Sequence, residues 1–314
     1  MKNNIAIVGF GVTGQRFFAH LKNSNRVNIS KIIVKRKRKI FFKGTDICGT
    51  FNDIKNINNL NAVIIATTFK ASFKYAEFFL KKKIPILIEK PFCQNILQSK
   101  KLFRLSKKNK SLFLINYSDL YDPKYIKIIS KGIKKIKKIK KIRANYGNNK
   151  TLYPVKKKYY PIQNWISHPI SMFLTICGDI EKFEIIDYKI QYKNSFIFEK
   201  VKIKLIKRNL DLIFNFSNFQ GKKNINIKIV CEKGFLKFNS YLENDNYIFY
   251  KKKEHIKSRT TSIENILNLF LNNIHKKNKI SNINIGIKEH YLSTAILKKI
   301  SSIRMKNNNE FKNN

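Results

Sequence analysis

At 314 residues, 43% hydrophobic and 13% aromatic, the chain has enough apolar content for one large or two medium cores, which excludes disorder throughout. Its 65 Lys and Arg against 19 Asp and Glu leave a formal charge of +46, normally a pointer to nucleic acid or an anionic surface. The cations are spread along the whole length, with Lys, Asn, Ile and Phe over-used together. We read them as compositional bias, and nucleic acid is not an expected partner.

In chain order, IAIV (5–8) reads as a continuous apolar strand, RFFAHL from Arg16 as the helix after it, and ISKIIV as a second strand ending at Val34. A polar stretch with room for a short strand precedes the apolar strand NAVIIAT from Asn61. A helix over Phe73 to Leu80, the strand of ILIEKPF, a helix near Leu97 to Lys107 and the strand SLFLINY complete a unit of domain size. Apolar strands alternating with amphipathic helices imply right-handed crossovers and a parallel sheet covered on both faces.

After Tyr121 the pattern changes. EKFEIIDYKIQY, EKVKIKLI, LDLIFNFS and NINIKIV alternate apolar with polar residues, the period of antiparallel strands exposed on one face. KGIKKIKKIKKI (131–142) reads as a helix end, a turn near Gly132 and a first strand, in preference to a basic helix for a membrane or nucleic acid. Thr261 and Glu264 fit a capping box opening SIENILNLFLNNI, and a last helix is expected over His290 to Ile300. The four cysteines stand far apart without a C-x-x-C, so neither a metal site nor a disulfide framework is expected. A reducing cytoplasm is the default compartment, and no apolar run is long enough for a membrane span.

GFGVTG, Gly9 to Gly14, is G-x-G-x-x-G set between a strand and a helix. In that context Gly9 permits the tight turn, Gly11 the approach of a pyrophosphate to backbone, and Gly14 the packing of helix on strand, with Val12 and Thr13 opening the helix N-terminus. No carboxylate stands at the end of the second strand, where one would bind a ribose 2′-hydroxyl; Lys35 and Arg36 stand there instead, which favours NADP(H) over NAD(H). ILIEKPF then carries Glu89, Lys90 and Pro91 out of an apolar strand. A buried strand does not tolerate unpaired charge, so this pair marks the exit into a cleft.

With GFGVTG, AVIIATT and IEKPF in this order, the chain resembles the Gfo/Idh/MocA oxidoreductase family. The resemblance implies an N-terminal Rossmann dinucleotide-binding domain (1–120), a C-terminal α+β domain with a largely antiparallel open sheet for substrate and oligomerisation (121–305), and a frayed tail (306–314). It puts Ala66, Thr67, Glu89 and Lys90 beside the cofactor, makes Lys90 a catalytic residue, and implies a Lys–Pro peptide that is often cis. QNWISHPISMF resembles the family's second signature, with Asn164, Trp165 and His168 on its Asp, Trp and His. At i and i+4, Asn164 and His168 share a helix face. Asn164, however, cannot accept a proton as Asp could, and Ser72 stands where the family has a His.

The expected function is hydride transfer between a nicotinamide and a sugar or nucleotide sugar, of the kind used in surface-polysaccharide synthesis. Lys90 and His168 are expected in proton transfer, Asn164 orients the hydroxyl, and Tyr117 and Trp165 contact substrate. A homo-dimer or tetramer is expected by resemblance. The alternatives are an NADP(H)-binding protein of the same fold that has lost turnover and, ranked below it, a basic nucleic-acid-binding protein.

Overall fold

The computed structural model describes residues 2–35, 39–42, 45–55, 59–136, 138–147, 153–155, 160–208, 210–219, 224–276 and 281–310. The chain divides into two compact units. One comprises Met1–Tyr117 and Ile263–His290, the other Ser118–Ser262 and Tyr291–Asn314. Ile263–His290, expected within the second domain (121–305), groups with the first unit.

In the first unit, the elements in order are β1 (Asn3–Val8), α1 (Val12–Leu21), β2 (Val27–Ile33), the short β3 (Phe41–Phe42), β4 (Thr45–Asp46) and β5 (Cys48–Gly49), α2 (Phe51–Lys55), β6 (Ala62–Ile65), α3 (Phe69–Lys81), β7 (Ile86–Glu89), α4 (Ile96–Asn109) and β8 (Phe113–Asn116). The main sheet runs β5-β2-β1-β6-β7-β8 with every pair parallel. Ile5–Val8, Ala62–Ile65 and Phe113–Ile115 are buried because helices cover both faces, which is why these strands are apolar without alternation. The helices bury matching stripes: Gly14, Phe17 and Leu21 on α1, and Ser72, Ala76, Phe79 and Leu80 on α3.

The second unit opens with a 3-10 turn, Ser118–Tyr121, followed by α5 (Pro123–Ile136), β9 (Ile139–Gly147), α6 (Pro161–Trp165) and α7 (Ser167–Cys177). The remaining strands are β10 (Lys182–Lys193), β11 (Phe196–Lys207), β12 (Leu210–Ser217), β13 (Asn224–Cys231), β14 (Gly234–Asn239), β15 (Tyr247–Tyr250) and β16 (Lys252–His255). The sheet runs β10-β11-β12-β9-β13-β14-β15-β16, antiparallel except for the parallel β12 and β9. Val201, Ile203 and Leu205 face Phe216, Phe214 and Leu212 across β11 and β12, all buried, while Lys200, Lys202 and Lys204 take the alternate positions.

Two helices follow, α8 (Ser262–Asn273) and α9 (Ile283–Glu310). Three expectations are corrected. The turn placed near Gly132 is interior helix. There α5 packs on β14, and a Cβ on Gly132 would lie 2.9 Å from Leu236 Cδ1, so the glycine serves close packing. The last helix begins at Ile283, two turns before His290, and continues through the expected tail as far as Glu310; residues 311–314 lie outside the described residues. Among the described residues no helix is long and apolar enough to cross a membrane.

Candidate active site

The turn after β1 is held by three strand ends. Gly9 N donates to Ile33 O of β2 and Ala66 N, after β6, donates to Val8 O, both at 2.7 Å. Gly9 has φ +93°, and a Cβ there would lie 2.7 Å from the Ala66 carbonyl carbon, so no other residue fits without moving backbone. Gly14 is closed the same way, by the Gly9 carbonyl. At Gly11 nothing lies within 4 Å of where a Cβ would stand. The first and third glycines are therefore required by packing, and the second keeps an open approach to backbone.

That approach belongs to a cleft of about 850 Å³ lined by Gly9, Phe10, Gly11, Val12, Thr13, Val34, Lys35, Ala66, Thr67 and Thr68. Gly11 caps the N-terminus of α1, whose first turn carries no acidic residue. The first N–H groups of a helix lack intrahelical partners and carry partial positive charge, so the cleft suits phosphate. A dinucleotide fits these residues. Gly9, Gly11, Val12, Thr13, Lys35, Ala66 and Thr67 are brought together as the motif predicts, with Gly14 behind them. Arg36 lies outside the described residues.

Glu89 and Lys90 stand at the end of β7 and are not among the lining residues of that cleft. Both are half-buried. Glu89 accepts from Asn116 Nδ2 on β8; burial pushes its carboxyl above the ordinary range, opposed by that hydrogen bond and the Lys90 charge. The Lys90–Pro91 peptide is cis. Tyr117, expected at the substrate, is instead an interior residue of the first unit: it is fully buried and its hydroxyl donates to Glu289 Oε2 at 2.9 Å. Sequence distance hides this pairing.

In the second unit, Asn164 lies next to the end of α6 and His168 second in α7. Ile166 between them keeps helical dihedrals, and the bonds Ile166 N to Ile162 O and Ile170 N to Ile166 O carry the ladder through. The two side chains nevertheless take different partners. Asn164 Nδ2 and Trp165 Nε1 each donate to the Tyr153 hydroxyl at 3.2 Å. His168 Nδ1 lies 3.4 Å from Asp119 Oδ2, and that same oxygen accepts from the Tyr146 hydroxyl at 2.8 Å. The imidazole packs against Tyr146, nearly parallel at 6.3 Å between centroids, and against Trp165 at 5.6 Å.

Asp119, Tyr146 and Tyr153 escaped the sequence reading. Asp119 carries a signal like that of Glu89, a carboxylate within three residues of the end of an apolar strand in an acid-poor chain. Tyr146 carries none because a tyrosine in a strand reads as core, and Tyr153 stands in an irregular segment that no pattern marks.

Residues 3–117 match the family model described as an oxidoreductase family with an NAD-binding Rossmann fold, Gfo/Idh/MocA. No curated protein matches the chain by sequence. Among solved structures, a Gfo/Idh/MocA family oxidoreductase from Vibrio cholerae has a TM-score of 0.76 at 13% identity, covering 97% of this chain and 100% of its own. A UDP-N-acetylglucosamine 3-dehydrogenase from Acidithiobacillus ferrooxidans reaches 0.77 at 14%, covering 94% and 97%. A variant 3-ketoreductase from Actinomadura kijaniata, in complex with TDP-benzene and NADP, reaches 0.72 at 13%, covering 94% and 96%. These likenesses extend the fold agreement over nearly the whole chain, and residues 3–117 are the part that matches the NAD-binding Rossmann fold of the Gfo/Idh/MocA oxidoreductase family.

Proposed function

We propose that this chain is an NAD(P)-dependent oxidoreductase acting on the CH–OH group of a sugar or nucleotide sugar. The observation that carries the reading is the glycine cradle at β1, where packing demands Gly9 and Gly14 while Gly11 stays open over a helix N-terminus. When bound, the nicotinamide supplies the hydride acceptor or donor. In the oxidising direction the hydroxyl's O–H bond breaks as hydride leaves its carbon, and a protein group must take the proton. Lys90 and His168 fill that role in this reading, with Asn164 and Trp165 ordered by Tyr153 to contact the sugar. A UDP-N-acetylglucosamine 3-dehydrogenase and a 3-ketoreductase that holds TDP-benzene share this fold, which supports the substrate class.

NADP(H) is the preferred coenzyme in this proposal. Exposed Lys35 stands in the cleft just beyond β2, where a carboxylate would be needed to select the 2′-hydroxyl. A cytoplasmic setting and a homo-dimer or tetramer complete the reading. Fluorescence titration should show NADPH binding more tightly than NADH, and a sugar panel should reveal oxidation or reduction. Lys90→Ala should abolish turnover while leaving coenzyme affinity nearly unchanged. Absence of binding to either coenzyme would overturn the reading.

A second reading rests on Asn164, whose amide can neither take nor give up a proton where the family signature carries an acid. A coenzyme-binding protein without turnover would bind NADPH normally yet stay silent across the panel.

A further inference from the structure

We propose that Asp119 is the positioning residue for His168, a carboxylate recruited from the turn after β8 that performs, from a different element, the acidic role Asn164 cannot. The inference rests on the reading of His168 as a proton carrier and adds to it a residue outside both sequence signatures.

Three elements of the second unit converge on this point: the Ser118–Tyr121 turn brings Asp119, β9 brings Tyr146, and α7 brings His168. The Asp119 and His168 side chains are 10% and 11% exposed, so the carboxylate has little water to solvate it. An enclosed anion is costly unless donors and cations face it. One oxygen, Oδ2, serves both neighbours, accepting from the Tyr146 hydroxyl at 2.8 Å and standing 3.4 Å from His168 Nδ1. Tyr146 is a fixed donor, since burial, and then the Asp119 charge, push its phenol well above the ordinary range. Tyr125, also buried near Asp119, is raised by the same causes. Asp122 is the other acid nearby; burial raises its carboxyl, and Asp119 raises it further.

A carboxylate facing Nδ1 selects the tautomer with its proton there and leaves Nε2 to accept. When Nε2 takes the substrate's hydroxyl proton, one O–H bond breaks, one N–H bond forms, and the new imidazolium charge faces an anion already in place. The aromatic neighbours Tyr146 and Trp165 restrict the ring's rotation, so orientation and charge are set together.

The test is ¹H–¹⁵N NMR of the full chain with ¹⁵N-labelled histidine, using His168→Gln to assign the resonances. His168 in the unaltered protein should carry its neutral proton on Nδ1. Asp119→Asn should lower the His168 pKa by about one unit or more and shift the proton toward Nε2. Tyr146→Phe should leave the tautomer as it was. An Nε2–H tautomer in the unaltered protein overturns the proposal even if no variant folds, and so does an Asp119→Asn spectrum with tautomer and pKa unchanged. None of these readouts needs coenzyme or substrate, so they fail or succeed separately from NADPH binding, on which the oxidoreductase reading depends.

Discussion

The two units absorb the same lysine-rich composition in different ways. In the first, the sheet is covered on both faces, and β6, β8 and the Ile5–Val8 stretch of β1 are buried and carry no cation. In the second, one side of the sheet stays open, and cations occupy every other position of β11 at Lys200, Lys202 and Lys204. The second unit also places an ionic cluster inside. Glu199, fully buried on β11, accepts from Arg304, from the Tyr188 hydroxyl at 3.0 Å and from Ile162 N at 2.9 Å, while the Arg304 guanidinium lies over Tyr160. Composition sets how many charges there are; the number of covered sheet faces sets where they can go.

This contrast can be broken at its strongest point by Glu199→Ala. It should cost the second unit about 3–5 kcal/mol, because the Arg304 guanidinium is left buried without its anion. Trp165, the only tryptophan, lies in that unit and reports its unfolding by fluorescence. A loss below about 1 kcal/mol would show that water reaches the cluster. In the first unit the matching change is methyl-sized: Ile64→Val, in a fully buried strand, should cost about 0.5–1.5 kcal/mol, read by amide exchange of β6.

His290, buried against Phe92, sharpens the comparison by pH. Burial lowers its pKa below 6.5, so in the window below that value the unfolded chain is protonated and the native imidazole is not. The first unit should therefore lose stability as pH falls through 6.5 toward the lowered value, and His290→Asn should flatten that slope. The smallest effect is expected on the open face. Lys200→Ala removes an exposed pair with Asp187 at 3.0 Å and should change stability by about 0–1 kcal/mol, less at high salt.

Much of the first unit is local and hence legible. GFGVTG needs only its own neighbours to be read as a turn into a helix, and ILIEKPF announces the end of a strand by where its charges fall. The start of α9 was not legible. Asn282 donates to and accepts from the backbone of Ile115 on edge strand β8, at 2.8 and 2.7 Å, closing an edge that would otherwise stay open. Gly286 then lies against Ile115, with Phe92 and Tyr117 within about 3.6 Å of where its Cβ would be. These partners stand more than 160 residues away in sequence, and no periodicity encodes them.

By itself the sequence determined the parallel sheet, the change to an alternating sheet, the glycine cradle and the candidacy of Lys90 and His168. The first three follow from side-chain period or a glycine's missing Cβ and Lys90 from a charge at a strand end, whereas His168 follows from the resemblance of QNWISHPISMF to the family's second signature. Only the tertiary structure decided that Asp119 faces His168, that Tyr117 belongs to Glu289 and that Arg304 is buried over Glu199. Such pairings depend on which surfaces the packed sheets bring together, and desolvation then makes each buried charge or hydroxyl take the partner it finds there.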